Sequence, residues 1–123
     1  MNLARHLMID LSGPTLTADE RAFLAERRPG GLCIFARNVV DRFQLADLIA
    51  EVRSLAGEEM IVAADQEGGG VVRILDLPYP PGAMALGAAD DPGLTRAVAG
   101  TTGRGLRALG INVNFAPVAD VNS

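Results

Sequence analysis

The sequence predicts an α/β fold, the first half of a (β/α)8 TIM barrel with parallel strands. Short apolar runs at residues 7–11, 32–36, 60–64 and 111–115 alternate with three segments of helical periodicity, the pattern of repeated βα units. The second and third runs are apolar throughout, as in strands buried on both faces of a parallel sheet. Polar groups stand at or just past successive run ends, namely Asp10, Arg37-Asn38, Asp65 and Asp120. That is the carboxyl edge on which barrels bind ligands. No Gly-x-Gly-x-x-Gly follows the first run, so the nucleotide-binding type of open sheet lacks its fingerprint. A complete barrel takes about 250 residues. The expectation is therefore one partial domain over residues 1–123, truncated after the fourth strand.

Each element has a local reason. The first strand, Leu7-Met8-Ile9-Asp10-Leu11, is closed by the turn residues Ser12-Gly13-Pro14. Asp10 serves either the strand's open end or that turn. His6, the one histidine, has no second ligand at metal spacing and reads as structural or solvent-facing. Thr17 and Glu20 have the spacing of a capping box, starting a helix that turns Phe23 and Leu24 inward and ends on Arg27-Arg28, which suit the negative end of the helix dipole. Gly30-Gly31 breaks the chain before the second strand. Arg37 at its end either contacts a ligand, braces the Asp65 carboxylate, or pairs with another acid while Asn38 turns the chain. Asp41 and Gln44 form a second capping pair, and Leu45, Leu48, Ile49, Val52 and Leu55 give the next helix one apolar stripe. Gly57 ends it. Residues 74–90, rich in Pro and Gly, read as a loop over the barrel mouth. Asp91-Pro92 opens a third helix bearing Leu94, Val98 and Leu106, which closes at Leu109 before Gly110. Gly100, Gly103 and Gly105 within it are expected to allow close packing on the sheet.

The chemistry concentrates at residues 61–73, Ile-Val-Ala-Ala-Asp-Gln-Glu-Gly-Gly-Gly-Val-Val-Arg. A carboxylate ending a buried strand is costly unless it meets solvent, ligand or a partner. Gly68, Gly69 and Gly70 remove side chains just past it, so backbone or ligand can come close. Arg73 can bring a planar donor to the same mouth. The bland alternative is a salt bridge between Asp65 and Arg73 that holds the glycine loop, which is compatible with binding.

Asp65-Gln66-Glu67-Gly68-Gly69, with Val71 and Arg73, resembles the Asp-Gln-Glu-Gly-Gly-x-Val-x-Arg signature of family-3 glycoside hydrolases, nearest the bacterial β-N-acetylhexosaminidases that release N-acetylglucosamine from peptidoglycan fragments. Gly30-Gly31-Leu32-Cys33-Ile34-Phe35-Ala36-Arg37-Asn38 resembles that family's Gly-Gly-(apolar)-Phe-x-Arg-Asn strand end. Leu109-Gly110-Ile111-Asn112 and Asn114-Phe115-Ala116-Pro117-Val118-Ala119-Asp120-Val121 resemble its next strand and the Ala-Pro-Val-x-Asp-Val that follows. The resemblance implies a retaining glycosidase working without metal or organic cofactor, on a carbohydrate substrate. It implies that Asp65 and Arg73 bind sugar hydroxyls remote from the cleaved bond and gives Asp120 a supporting place; Arg37 and Glu67 are supporting candidates from their positions in the chain alone. Retention requires a nucleophilic carboxylate and a general acid/base. The resemblance implies an Asp nucleophile on a late strand and an acid/base His on a mobile loop, preceded by a Lys-His pair that binds sugar. None has a counterpart in a chain with no Lys and only His6, so no catalytic residue is expected here. Gly70 stands where many relatives have Arg.

Composition bounds the alternatives. A hydrophobic content of 49% supports a real core, and a net charge of −4 argues against nucleic acid. A Walker phosphate loop needs a Lys, and all eleven basic residues are Arg. With no Trp and 4% aromatics, sugar stacking on rings is disfavoured, although a pocket of charged groups needs none. Cys33 reads as a buried core thiol. The N-terminus lacks a secretory apolar region and no run reaches the ~20 residues of a membrane span, so no membrane partner and a cytoplasmic location are expected. A β-glucosidase of the same family is the near alternative. An anion-binding α/β module at the glycine loop is opposed by Asp65 and Glu67. An inactive half-barrel would expose two sheet edges and an inner face, so it would need the rest of the barrel or self-association to cover them.

Overall fold

The computed structural model describes residues 2–120; Val121 of the last motif and Ser123, where the truncation is expected, lie outside the described residues. Four parallel strands, β1 (Met8–Ile9), β2 (Gly31–Ile34), β3 (Ile61–Ala64) and β4 (Val113–Asn114), form one sheet in the order β1-β2-β3-β4. A doubly wound sheet reverses its strand order at a switch point. Here each strand pairs with the next in sequence, as in the wall of a barrel.

Strands β1 and β4 are shorter than their apolar runs. At β4 the reason is chemical: the Asn112 side chain accepts from Val62 N (2.8 Å) and donates to Met60 O (3.2 Å), replacing backbone rungs beside β3. Asn114 repeats the device one step on, accepting from Gln66 N (3.0 Å) and donating to Gln66 O (3.1 Å).

Helix α1 (Ala18–Arg27) has the expected capping box: Thr17 Oγ1 accepts from Glu20 N (3.2 Å) and Glu20 Oε2 from Thr17 N (2.7 Å). Leu24 is buried, but Phe23 is 41% exposed, contrary to expectation. Successive helix residues point about 100° apart, and only one of this pair covers the sheet. Arg28 lies just past the helix as its left-handed cap. Helix α2 (Arg42–Ala56) is capped by Asp41, which accepts from Phe43 N and Gln44 N, both at 2.8 Å. Gln44 reaches Val40 N (2.8 Å) one residue outside the box, and also donates to Pro14 O (2.6 Å). Leu45, Leu48, Ile49 and Val52 are buried as expected, and Leu55 partly so.

The loop expected at 74–90 is interrupted by helix α3 (Ala83–Ala89), which makes four α-helices rather than three among the described residues. Its residues are small or apolar on every side and none is buried, so no amphipathic period reveals it. Helix α4 (Pro92–Ala108) starts on the Asp91 cap and buries Leu106, while Leu94 stays 45% exposed. Its glycines do not serve the sheet. A Cβ at Gly105 would meet Leu77 at 3.3 Å, Gly103 faces open space, and Gly100 has only the Arg104 side chain nearby.

The core lies on one face of the sheet. Leu32, Ile34, Val62 and Ala64 pack with Leu11, Leu24, the α2 stripe, Ile74 and Leu106. By strand alternation, Met8, Cys33, Phe35, Ile61, Ala63 and Asp65 belong to the opposite face. There Met8 remains 42% and Ile61 44% exposed.

Candidate functional site

Strand β3 runs out at Ala64 and places Asp65 at the carboxyl edge of the sheet, on its coreless side. Arg73 returns to it across the glycine loop: Nη2 donates to Asp65 Oδ2 at 2.8 Å and Nε to the same oxygen at 3.3 Å. The two side chains are 31% (Arg73) and 20% (Asp65) exposed. Among the described residues no donor is bonded to Asp65 Oδ1. The carboxylate thus keeps a free acceptor edge, and the guanidinium keeps its Nη1 donors.

Gln66 holds this return in place. It is 1% exposed, and its Oε1 accepts from both Arg73 N and Ile74 N at 3.1 Å, while Nε2 donates to Ile74 O at 2.9 Å. A buried amide with its side-chain groups engaged fixes backbone as a strand would. Sequence reasoning assigned no role to Gln66 or Asn114. The available signal was a neutral amide beside a charged one at a strand end.

Arg37 does not brace Asp65. Its guanidinium pairs through Nη2 with Asp10 Oδ2, and Nε donates to Leu11 O at 3.0 Å. So Asp10 serves the strand's end rather than the turn, and of the readings open for Arg37 the pairing with another acid is the one observed. Asn38 is buried: its Oδ1 accepts from Phe35 N (2.9 Å) and its Nδ2 donates to Leu11 O and Gly13 O (both 3.0 Å). This staples the end of β2 to the loop after β1. Phe35 is a further site residue that sequence reasoning missed. The Arg37 guanidinium carbon lies over its ring at 4.8 Å from the centroid, and that of Arg73 at 5.8 Å. Asp10, Arg37, Phe35, Arg73 and Asp65 therefore form one row along the strand ends, acid and base in equal number.

Cys33 lies beneath this row and is half-buried rather than fully so. Burial pushes its thiol above the ordinary value, the Asp65 carboxylate pushes it further, and Arg73 pulls it back.

The glycines after Asp65 serve backbone approach. Gly68 has φ +98°, and a Cβ there would lie 2.3 Å from Pro81 O; Gly69 N donates to Pro80 O at 3.1 Å. Tyr79 Oη closes the same contact on Gly69 O. Gly70, in contrast, faces open space. Glu67 and Asp120 line a neighbouring cleft of about 610 Å³ with Gly70, Met84 and Val118, a cleft whose lining does not include Asp65 or Arg73. The five candidates therefore divide three ways: Asp65 with Arg73, Arg37 apart from them on its own partner Asp10, and Glu67 with Asp120.

A carboxylate and a planar guanidinium, bonded to each other with outward donors and acceptors spare, suit a polyhydroxylated ligand. Charge-assisted bonds to hydroxyls are stronger than neutral ones. The chain is 44% identical over 122 residues to a β-hexosaminidase of Methylococcus capsulatus and 35% identical over 123 to one of Nitrosomonas eutropha, in each case across 94% of this chain. It spans about a third of the length of those curated relatives, 36% and 35%. Among solved structures, a family 3 β-N-acetylglucosaminidase from a Paenibacillus species superposes with a TM-score of 0.91 at 39% identity, over 98% of this chain and 24% of that one. NagZ from Neisseria gonorrhoeae superposes with a TM-score of 0.83 at 34% identity, over 94% of this chain and 36% of that one. The model of the glycosyl hydrolase family 3 N terminal domain matches residues 4–123, and the chain belongs to that family.

Proposed function

We propose that this chain forms the N-terminal part of a family 3 catalytic barrel and carries the half of its sugar site that grips hydroxyls remote from the cleaved bond. The parent reaction is release of a terminal β-linked N-acetylhexosamine with retention. The observation that carries this reading is the Asp65–Arg73 pair at the carboxyl edge of the sheet, 2.8 Å apart and only partly exposed. Asp65 Oδ1 accepts from one sugar hydroxyl and the Arg73 Nη1 donors reach another. Arg37, Asp10, Glu67 and Asp120 support the mouth. The nucleophile and the acid/base come from outside these 123 residues. The cytoplasm and peptidoglycan fragments are the compartment and substrate source that fit the resemblance; among the described residues no helix is long and apolar enough to cross a membrane.

The test is a chimera in which this chain replaces the matching third of the Methylococcus capsulatus β-hexosaminidase. It is assayed on a chromogenic N-acetyl-β-glucosaminide and on the matching β-glucoside, beside the 123-residue chain alone. Turnover by the chimera only, with preference for the N-acetyl sugar, supports the proposal. Preference for the glucoside moves the assignment to the β-glucosidase reading. Turnover by the chain alone overturns the division of labour.

A further inference from the structure

We propose that Phe35 is a positioning residue for Arg73: its ring, carried on a backbone tied to Asn38 and shared with the Asp10-paired Arg37, holds the Arg73 guanidinium in the orientation from which it serves the sugar site. The inference rests on the glycosidase reading of that site. Its grounds are geometric. Arg73 reaches Asp65 from a loop, and both of its bonds go to a single oxygen, so the guanidinium can still swing about that contact. A bidentate fork would remove that freedom; here the Phe35 ring, 5.8 Å from the guanidinium carbon, supplies a second constraint. An aromatic face attracts a cation through its quadrupole, and a planar guanidinium also stacks on it.

The backbone that carries the ring is itself held. Phe35 N donates to the buried Asn38 Oδ1, and Asn38 is tied to two carbonyls of the loop after β1. Arg37 occupies the same ring at 4.8 Å. Two guanidinium groups on one ring would repel each other if unpaired. Each has its own carboxylate, Asp10 for Arg37 and Asp65 for Arg73, so the row is neutral and the repulsion is offset.

The test compares Phe35→Leu, which keeps apolar bulk and loses the aromatic face, with Phe35→Tyr, which keeps the face. In the 123-residue chain, the Nε–H resonances of Arg37 and Arg73 should show ring-current shifts in the native and Tyr forms and lose them in the Leu form. Unchanged Arg73 shifts in the Leu form overturn the proposal, whatever the chain's activity. In the chimera, Phe35→Leu should lower kcat/KM by about tenfold, and Phe35→Tyr should restore it. The penalty for substrates lacking the 4- or 6-hydroxyl should shrink in the Leu form, because a mobile Arg73 no longer discriminates. A loss equal in the Leu and Tyr forms, with the deoxy penalty intact, marks Phe35 as packing only and overturns the proposal. A chimera with no turnover on any sugar defeats the glycosidase reading, while the resonance shifts still decide the positioning role.

Discussion

A guanidinium bonded twice to one oxygen of a carboxylate leaves the other oxygen as the strongest free acceptor in the site, and this decides what substitution at Asp65 should do. Asp65→Asn keeps the shape, removes the charge, and turns one acceptor into a donor. In the chimera kcat/KM should fall by about 10- to 100-fold, the loss of one charge-assisted hydrogen bond; an unchanged value would place the sugar elsewhere. Arg73→Lys should not rescue an Arg73 defect, since an ammonium cannot serve the carboxylate and a hydroxyl in one plane. Cys33 offers a reporter that needs no substrate. Its thiol is pushed up by burial and then by Asp65, and pulled down by Arg73. Only the thiolate alkylates, so at pH 8 iodoacetamide should react faster with Asp65→Asn than with the native chain, and more slowly with Arg73→Gln. Equal rates in all three would mean that the pair does not act on the inner face.

At the scale of elements, the glycine loop and the first helix make opposite kinds of prediction. Gly68 combines a left-handed φ with a backbone oxygen 2.3 Å from where a Cβ would stand, so Gly68→Ala should destabilise by about 2–4 kcal/mol in chemical denaturation. Gly70 faces open space, and Gly70→Ala should stay within about 0.5 kcal/mol. Equal effects at the two positions would mean that the Pro80–Pro81 contact does not constrain the loop. The Glu20 carboxyl, although partial burial opposes ionisation, is lowered from 4.5 to about 2 by hydrogen bonds from Thr17 and Ser12. Its folded value lies below its unfolded one, so its stabilisation is present above pH 4.5 and drains away as pH falls towards 2. Glu20→Gln should flatten that limb of the unfolding curve and lower neutral-pH stability by about 1 kcal/mol. The caps Thr17, Glu20 and Asp41 were legible because capping is a local rule that needs only three or four residues. Helix α3 was not, because a short helix without a buried side carries no periodicity and follows a Pro-rich run. The same division holds in the site. Asp65 and Arg73 were legible as charges at a strand end, and so was Arg37 with its open choice of partner. Phe35 acts on Arg73 across 38 residues and Asn114 on the Gln66 backbone across 48, which no local pattern encodes, and the Gln66 side chain, although its partners are seven and eight residues away, bonds backbone groups that any residue would present.

For the whole molecule, the decisive fact is that the core occupies one face of the sheet while the other presents Met8, Ile61 and Phe115, each between 42% and 46% exposed. Strands β1 and β4 are the sheet's edges among the described residues, with nothing paired outside them. Edge strands and a contiguous apolar face are both ready to accept another chain. We therefore expect the 123-residue chain, taken alone, to self-associate through this face. Sedimentation velocity at rising concentration should show a shift to dimers or larger species, and Ile61→Lys should return the chain to monomer. Phe23→Lys, at a similarly exposed aromatic placed on α1 instead, should leave the association unchanged. Adding the C-terminal two thirds of the Methylococcus capsulatus relative should compete with self-association, because a barrel's remaining strands would cover the same face and pair with the same edges. A monomer at every concentration, or an equal effect of the two lysine substitutions, would show that the inner face is not the surface that drives assembly.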